Sequence, residues 1–197
     1  MIPRAESKPV LTDDGSFKPP VGQPTNDLRP TDFLRCLIPE ELEPPSDALT
    51  YQKTTPTDGY TMDAVGAIRA NDVPALRYLL NHGHSFNACN ANGEYLIHLA
   101  CRRAQPETVE FLINEAKVNV NVRDIMGRTI LHDICWKSFP DLVLMSAVLK
   151  LVQPGLFLAK DIRGHTPFDY ARKQHWKKWV DFLRDNQGLI QQKLYDQ

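Results

Sequence analysis

Four side chains of metal-binding type recur at a constant spacing. His98 and His132 are 34 residues apart, and each is followed three residues later by a cysteine, Cys101 or Cys135. Zinc binds imidazole nitrogen and thiolate sulfur at about 2.0–2.3 Å from one point. Pairs at equivalent positions of neighbouring helices have axes about 8–10 Å apart, which does not favour convergence. We therefore favour structural roles for these residues and expect neither a metal nor a cofactor.

Covalent and acid–base catalysis have little support in the sequence. There is no nucleophile elbow, no Walker-type glycine loop and no Gly-x-Gly-x-x-Gly segment. Ser138 and Ser146 lack matching glycines. His132 and Asp133 are neighbours, so on a helix their side chains would diverge by about 100°. The sequence thus predicts a protein that is not an enzyme.

Composition limits the protein class. The 197 residues are 42% hydrophobic and 24% charged, with a formal net charge of −1, which is typical of a globular protein and argues against a globally basic nucleic-acid binder. The most apolar stretch, residues 142–158, is interrupted by polar residues, so no membrane span is expected. Four cysteines and no apparent secretion signal favour an intracellular location, cytoplasmic or nuclear.

The chain divides into a proline-rich arm and a repetitive region. Residues 1–57 hold 10 of the 15 prolines, with 6 basic and 9 acidic side chains, and are predicted to be extended or disordered. Their apolar cluster at 33–38 predicts a short helix that Pro39 ends. Residues 58–186 form the predicted repeat domain, and residues 187–197 a C-terminal tail.

Glycines and prolines mark the repeat. The glycines are spaced 34, 34 and 37 residues apart, at Gly59, Gly93, Gly127 and Gly164. A proline precedes each of the apolar runs ALRYLL, TVEFLI and LVLMSAVLKLV; these are Pro74, Pro106 and Pro140. Proline suits the first turn of a helix, so each unit is predicted to contain two short helices. Neither helix can bury its apolar face alone, whereas stacked units can, and Leu112 is expected in that core.

These units resemble the ankyrin repeat. The shared pieces are the turn glycine, a histidine or its equivalent five residues later, small residues after it, and a Val-Asn-like pair at Phe86-Asn87 and Val120-Asn121. The resemblance implies an all-α solenoid of three to four stacked helix pairs with short β-hairpin tips, preceded by the extended arm. It also assigns the histidines to hydrogen bonds that tie hairpins to helices, and the cysteines to small core positions.

No unit carries a complete Thr-Pro-Leu-His motif. The first unit is degenerate and keeps only its second helix clearly, as terminal repeats often do. The third unit is three residues longer, and we expect the extra residues near 150–155.

Ankyrin-like units bind partners through their hairpin tips and the exposed side of their first helices. Seven of the corresponding positions here are Arg or Lys, only Glu94 is acidic, and Trp136 lies centrally. The predicted partner-binding residues are Arg69, Arg102, Arg103, Ile125, Met126, Arg128, Trp136, Lys137, Ile162, Arg163, His165 and Lys173. This pattern predicts a non-catalytic interaction module for an acidic protein segment.

Three alternatives remain open from sequence. The basic positions could be ordinary solvated surface, they could bind an anionic polymer or lipid surface, or the chain could be an assembly subunit docked through residues 1–57. Within the chain, the arm could be a free tail, or it could fold back so that Phe33, Leu34 and Leu37 cover the open end of the first unit.

Overall fold

The computed structural model describes residues 10–11, 17–18, 28–42, 58–103 and 105–195. Most of the proline-rich arm, including the acidic residues Glu43 and Asp47, lies outside this part of the chain. Among the described residues, no helix is both long and apolar enough to cross a membrane.

Helix pairs stacked side by side make up the repeat region, which confirms the predicted all-α solenoid. The pairs are α2 and α3, α4 and α5, and α6 and α7. Their bounds are Met62–Ala70, Val73–Asn81, Leu96–Arg103, Pro106–Asn114, Ile130–Cys135 and Leu142–Leu149. First helices stack as α2, α4 and α6, and second helices as α3, α5 and α7. Leu112 is fully buried between them, as expected.

A fourth, shorter unit completes the stack. Its first helix is a 3₁₀ turn, Pro167–Tyr170, and its second is α8, Trp176–Asp185, which the 3₁₀ turn Lys173–His175 precedes. A further 3₁₀ helix, Pro154–Leu158, leads into this unit. The final helix α9, Gln187–Tyr195, contacts α8 and the Pro154–Leu158 turn.

The first unit is more complete than its sequence suggested. Helix α2 has nine residues, and the Thr61 hydroxyl accepts a hydrogen bond from the Ala64 amide at 3.3 Å. Ala67 and Ile68 are buried, so this helix contributes a full apolar face to the core. The degenerate first unit therefore still forms both of its helices, because burial and a good N-cap are sufficient without the complete family motif.

The extra residues of the third unit lie mostly before α7, not at 150–155 as expected. Helix α5 begins ten residues after the start of α4 (96 to 106), whereas α7 begins twelve residues after the start of α6 (130 to 142). Residues 136–141 thus form a longer loop, and Pro140 lies in it, before the start of α7. Asp141 supplies the N-cap of α7 by accepting from the Leu144 amide at 3.0 Å.

The arm contributes a helix to the far end of the solenoid. Helix α1, Pro30–Leu37, is followed by a 3₁₀ turn, Glu40–Leu42. It contacts α8, α9 and the 3₁₀ turns Pro154–Leu158 and Pro167–Tyr170. The two-residue strands β1, Val10–Leu11, and β2, Phe17–Lys18, pair antiparallel, and β1 contacts α1.

The proposed fold-back of α1 onto the first unit was therefore wrong. Phe33 and Leu34 are buried in the core at the last unit, and the Phe33 ring lies 6.0 Å from the Arg184 guanidinium. The Thr31 hydroxyl is hydrogen-bonded to that of Thr166 at 3.0 Å. Either open end of a solenoid could accept an apolar helix, and these long-range contacts select the last unit.

Candidate functional site

Polar side chains at the start of each hairpin fix the tips. Asn90, Asp124 and Asp161 each accept, through Oδ1, from the amides two and four residues later, at 2.9–3.1 Å. A turn glycine follows three residues after each, with φ of 64° at Gly93, 72° at Gly127 and 79° at Gly164. A side chain at Gly127 would also lie 3.2 Å from the Ile162 amide nitrogen. The three hairpins therefore share one conformation.

Neighbouring tips are hydrogen-bonded to each other. The Ile125 amide donates to the Asn92 carbonyl at 3.1 Å, and the Ile162 amide donates to the Met126 carbonyl at 3.0 Å. These bonds, together with the stacked helices, turn separate loops into one continuous edge of the solenoid.

Two buried histidines, His98 in α4 and His132 in α6, each link their own helix to the hairpin of the next unit. In His132, Nδ1 accepts from the Thr129 amide at 3.0 Å, so Nε2 carries the proton and donates to the His165 carbonyl at 3.1 Å. His98 makes the equivalent pair of bonds, to the Tyr95 amide and the Arg128 carbonyl. Burial lowers the pKa of His132 to about 4, so the ring stays neutral.

The cysteines that follow these histidines lie in the core. Cys101 and Cys135 are buried, and burial raises the pKa of both thiols. Thiolate, the form that binds zinc, is thereby disfavoured. Within the described part of the chain, no three His, Cys, Asp or Glu residues are grouped as a metal ion would need.

Three of the predicted basic residues are neutralised by acids. Arg102 pairs with Glu94 at 2.5 Å and with Asp133 of the next unit at 3.0 Å. Arg128 pairs with Asp124 at 2.5 Å, and Lys137 pairs with Asp141 at 3.2 Å. Asp124 and Asp133 are almost fully buried. Counting only the exposed positions in the sequence missed Asp124, Asp133 and Asp141, because they lie at a hairpin base, on a buried side of α6 and at the N-cap of α7.

The remaining predicted cations are exposed. Arg69 and Arg103 reach solvent at the ends of α2 and α4, Arg163 at the last tip, and Lys173 before α8. Among the described residues, no acidic side chain pairs with Arg69, Arg103 or Arg163. Lys173 lies 5.8 Å from the centroid of the Trp176 ring. His165 is exposed, with its ring against Tyr170.

Trp136 differs from the other two tryptophans. It is 59% exposed, and its ring lies 5.1 Å from that of Tyr170. Trp179 is 2% exposed, and the Trp176 indole donates to the Ala171 carbonyl at 3.0 Å. Of the predicted apolar tips, Ile162 is 66% exposed, whereas Ile125 and Met126 are half-buried.

An open groove of about 540 Å³ lies where α2, α4 and the first hairpin meet. Its lining combines cations with apolar side chains: Tyr60, Met62, Val65, Arg69, Asn90, Glu94, Leu99, Arg102 and Arg103. A second, smaller groove of about 320 Å³ lies along the next hairpin, lined by Ile125, Met126 and Arg128 among others. Six of the twelve predicted site residues thus line these two grooves: Arg69, Arg102, Arg103, Ile125, Met126 and Arg128.

Comparison with known proteins agrees with this architecture. Residues 64–145 match the family model described as ankyrin repeats, with three copies. That span corresponds to α2 through the middle of α7, and the fourth unit follows it in the stack.

Two curated relatives are similar over part of their length. "Putative glutaminase 2" of Caenorhabditis elegans is 26% identical over 126 residues, which cover 59% of this chain and 21% of that protein. "Tyrosine-protein kinase HTK16" of Hydra vulgaris is 34% identical over 108 residues, which cover 48% of this chain and 14% of that protein. This chain therefore spans less than a quarter of the length of either relative.

Ankyrin repeats generally mediate protein–protein interaction, and the family is generally non-catalytic. The matched repeats, the hydrogen-bonded hairpin tips and the stacked helix pairs agree with one another. Residues 64–145 of this chain are ankyrin repeats, in three copies.

Proposed function

We propose that this protein is a non-catalytic interaction module that binds an acidic segment of a protein partner. The binding face follows the exposed side of the first helices, with Arg69 and Arg103 at one end and Trp136 toward the other. The observation that carries the proposal is the 59% exposure of Trp136, together with the exposure of Arg69, Arg103 and Arg163, with which no acid pairs in the described part of the chain. Tryptophan and arginine are the side chains most enriched at binding hot spots.

The internal ion pairs change which residues of the face are available to a partner. Arg102 and Arg128 belong to inter-unit and hairpin contacts, so they contribute less to a partner than their positions suggested. The proposed partner contacts are the exposed cations and Trp136, with Ile162 as an apolar contact at the tips. The 540 Å³ groove beside Arg69 and Arg103 would accept a carboxylate next to the buried apolar side chains of Val65 and Leu99.

The same features favour a scaffold over an enzyme. The enzyme names of the relatives belong to proteins of which this chain covers 21% and 14%, so we transfer no activity from them. None of the four cysteines, all of them in the described part of the chain, forms a disulfide, which is consistent with a reducing compartment inside the cell.

Affinity purification with mass spectrometry tests the proposal. Wild-type protein is compared with Trp136→Ala, and with Tyr195→Ala as a matched control because Tyr195 is an exposed aromatic remote from the face (89% exposed). We expect a protein partner that is retained by wild type and Tyr195→Ala and lost by Trp136→Ala.

The purified complex is then measured across a salt series. A protein partner with an acidic segment should show a moderate loss of affinity with salt, whereas a nucleic acid or other polyanion would show a steep slope. An identical set of partners for all three proteins would contradict the proposed face.

A further inference from the structure

The loop between α6 and α7 is built differently from its counterpart in the preceding unit. Six residues, 136–141, separate these helices, whereas two residues, 104–105, separate α4 and α5. The longer loop presents Phe139, which is 73% exposed, close in sequence to the exposed Trp136. Two large aromatic rings are therefore exposed on this one loop, whereas apolar side chains of this size are usually buried.

The next unit holds both rings in place. Trp136 packs on Tyr170, and the Phe139 ring lies 5.6 Å from that of His175. Between them, the Ser138 carbonyl is hydrogen-bonded to His175 Nε2 at 3.0 Å, and the Ser138 hydroxyl is 3.5 Å from Arg172 Nη2. Rings that are already ordered lose little conformational entropy when a partner binds.

Two cations lie close in sequence to these contacts. Arg172 and Lys173 are exposed and lie two and three residues after Tyr170. Asp161, the acid next to Tyr170, accepts a hydrogen bond from the Tyr170 hydroxyl. Asp141, the acidic residue of the loop, is engaged by Lys137 at 3.2 Å and by the Leu144 amide at 3.0 Å. A partner segment that carries carboxylates beside its apolar side chains would therefore be attracted.

We infer that Trp136, Phe139, Arg172 and Lys173, here called the aromatic ledge, dock a partner segment in which two apolar side chains are flanked by carboxylates. The inference rests on the proposed function and names its principal contact: Phe139 and the long loop anchor the apolar side chains of the partner. A protein segment fits better than a membrane surface, since recognition of anionic lipid typically uses clusters of four to eight basic residues.

Binding of a short synthetic peptide tests the ledge. The probe carries two leucines flanked on both sides by glutamates; one control peptide has serines for the leucines and another has lysines for the glutamates. The ¹⁵N-labelled protein is titrated, and the three tryptophan indole signals are followed. We expect the Trp136 signal to move with the probe alone, while that of buried Trp179 stays in place.

Three variants assign the contact. Phe139→Ser should weaken peptide binding at least about tenfold, as loss of a hot-spot side chain does. Arg172→Gln should weaken it less and flatten its salt dependence. Tyr78→Ser, which changes an exposed aromatic residue of α3 outside both the ledge and the proposed face, should bind as wild type does. Each variant is first compared with wild type by melting temperature, and Arg172→Gln keeps the test valid if Phe139→Ser is unstable.

The two proposals can fail separately. If Trp136→Ala loses its partner in the purification but Phe139→Ser binds the peptide normally, the ledge is wrong and the proposed function stands. If wild-type protein does not bind the peptide, the ledge is wrong. The same holds if the protein sediments with phosphatidylserine vesicles and does not bind the peptide. If the peptide binds through the ledge while Trp136→Ala retains every cellular partner, the proposed function is wrong.

Discussion

The inter-unit histidines combine two tasks in one buried ring. In each of His98 and His132, Nδ1 accepts from the amide of the residue three positions earlier, and Nε2 donates to the carbonyl of the following hairpin. The accepting task requires an unprotonated Nδ1, because a protonated Nδ1 cannot accept. The same residue type could have bound zinc, so only its partners define its role.

His132 makes the stability of the protein dependent on pH. Burial lowers its folded-state pKa to about 4, below the usual 6.5, so its contribution is complete above pH 6.5 and is lost as the pH falls toward 4. Between pH 7.5 and pH 5 we expect a loss of about 2 kcal/mol in the free energy of unfolding. Urea unfolding of wild type and His132→Gln at both pH values measures this. An equal pH dependence in the two proteins would contradict the assignment.

Two adjacent arginines should behave differently on mutation. Arg102 is paired with Glu94 and buried Asp133, whereas Arg103 is exposed and pairs with no acid in the described part of the chain. Arg102→Met should cost about 1–3 kcal/mol, because burial of an unpaired carboxylate is unfavourable and burial already raises the pKa of Asp133.

Arg103→Met is the matched control and should change stability by less than about 0.5 kcal/mol. Urea unfolding measures the stability of both variants. Partner affinity should show the opposite order, with the larger loss in Arg103→Met, since Arg103 belongs to the proposed face. Equal stability losses in the two variants would show that the ion pairs of Arg102 contribute nothing measurable.

At the level of elements, the docking of α1 is the main feature outside the repeats. The helix buries Phe33, Leu34 and Leu37, and it covers a surface where no fifth unit follows among the described residues. A second contact strengthens the same end: the Lys193 ammonium of α9 donates to the carbonyls of Leu149, Lys150 and Val152 at 2.7–3.2 Å, at the C-terminus of α7. A cation at that end also interacts favourably with the helix dipole.

Leu34→Ala tests the position of α1. Its side chain is fully buried, so the substitution should cost about 2–5 kcal/mol in the free energy of unfolding. Amide hydrogen exchange should accelerate in α8 and α9, which contact α1, and remain unchanged in α2 and α3. Arg35→Ala, on the exposed side of the same helix, is the control. Faster exchange in α2 alone would instead place the arm on the first unit.

On the scale of the whole molecule, one apolar core runs from the arm to the last helix. It includes Leu28 and Leu34 of the N-terminal part, Leu112 in the middle unit, and Leu183 and Ile190 near the C-terminus. Each unit of a solenoid depends on its interfaces for stability, so a destabilising substitution in the central unit should also destabilise the units at both ends.

Leu112→Ala is expected to destabilise the protein by about 2–5 kcal/mol without splitting its unfolding into stages. In a Trp136→Phe background, fluorescence reports Trp176 and Trp179 in α8, while circular dichroism reports all helices. The two urea transitions should coincide and shift together. A fluorescence transition that does not move would mean that the last unit unfolds independently.

The repeat itself could be predicted from sequence because its determinants are local. Turn glycines at positive φ, proline in the first turn of α5 and the apolar spacing of Val109, Leu112 and Ile113 each act within one unit. The regular spacing of these features then implies stacking, since a single helix pair cannot bury its apolar face. The same local information predicted the exposure of Trp136.

Tertiary structure decided which charges remain available and where the arm lies. Arg102 is separated from Asp133 by 31 residues, and Thr31 from Thr166 by 135, so these pairs have no local signal. The amphipathic α1 could bury its apolar side at either end of the stack. Its own sequence therefore does not indicate which end it packs against. Packing against α8 and α9 selects one end because contact energies depend on the shape of the assembled surface, which no single segment contains.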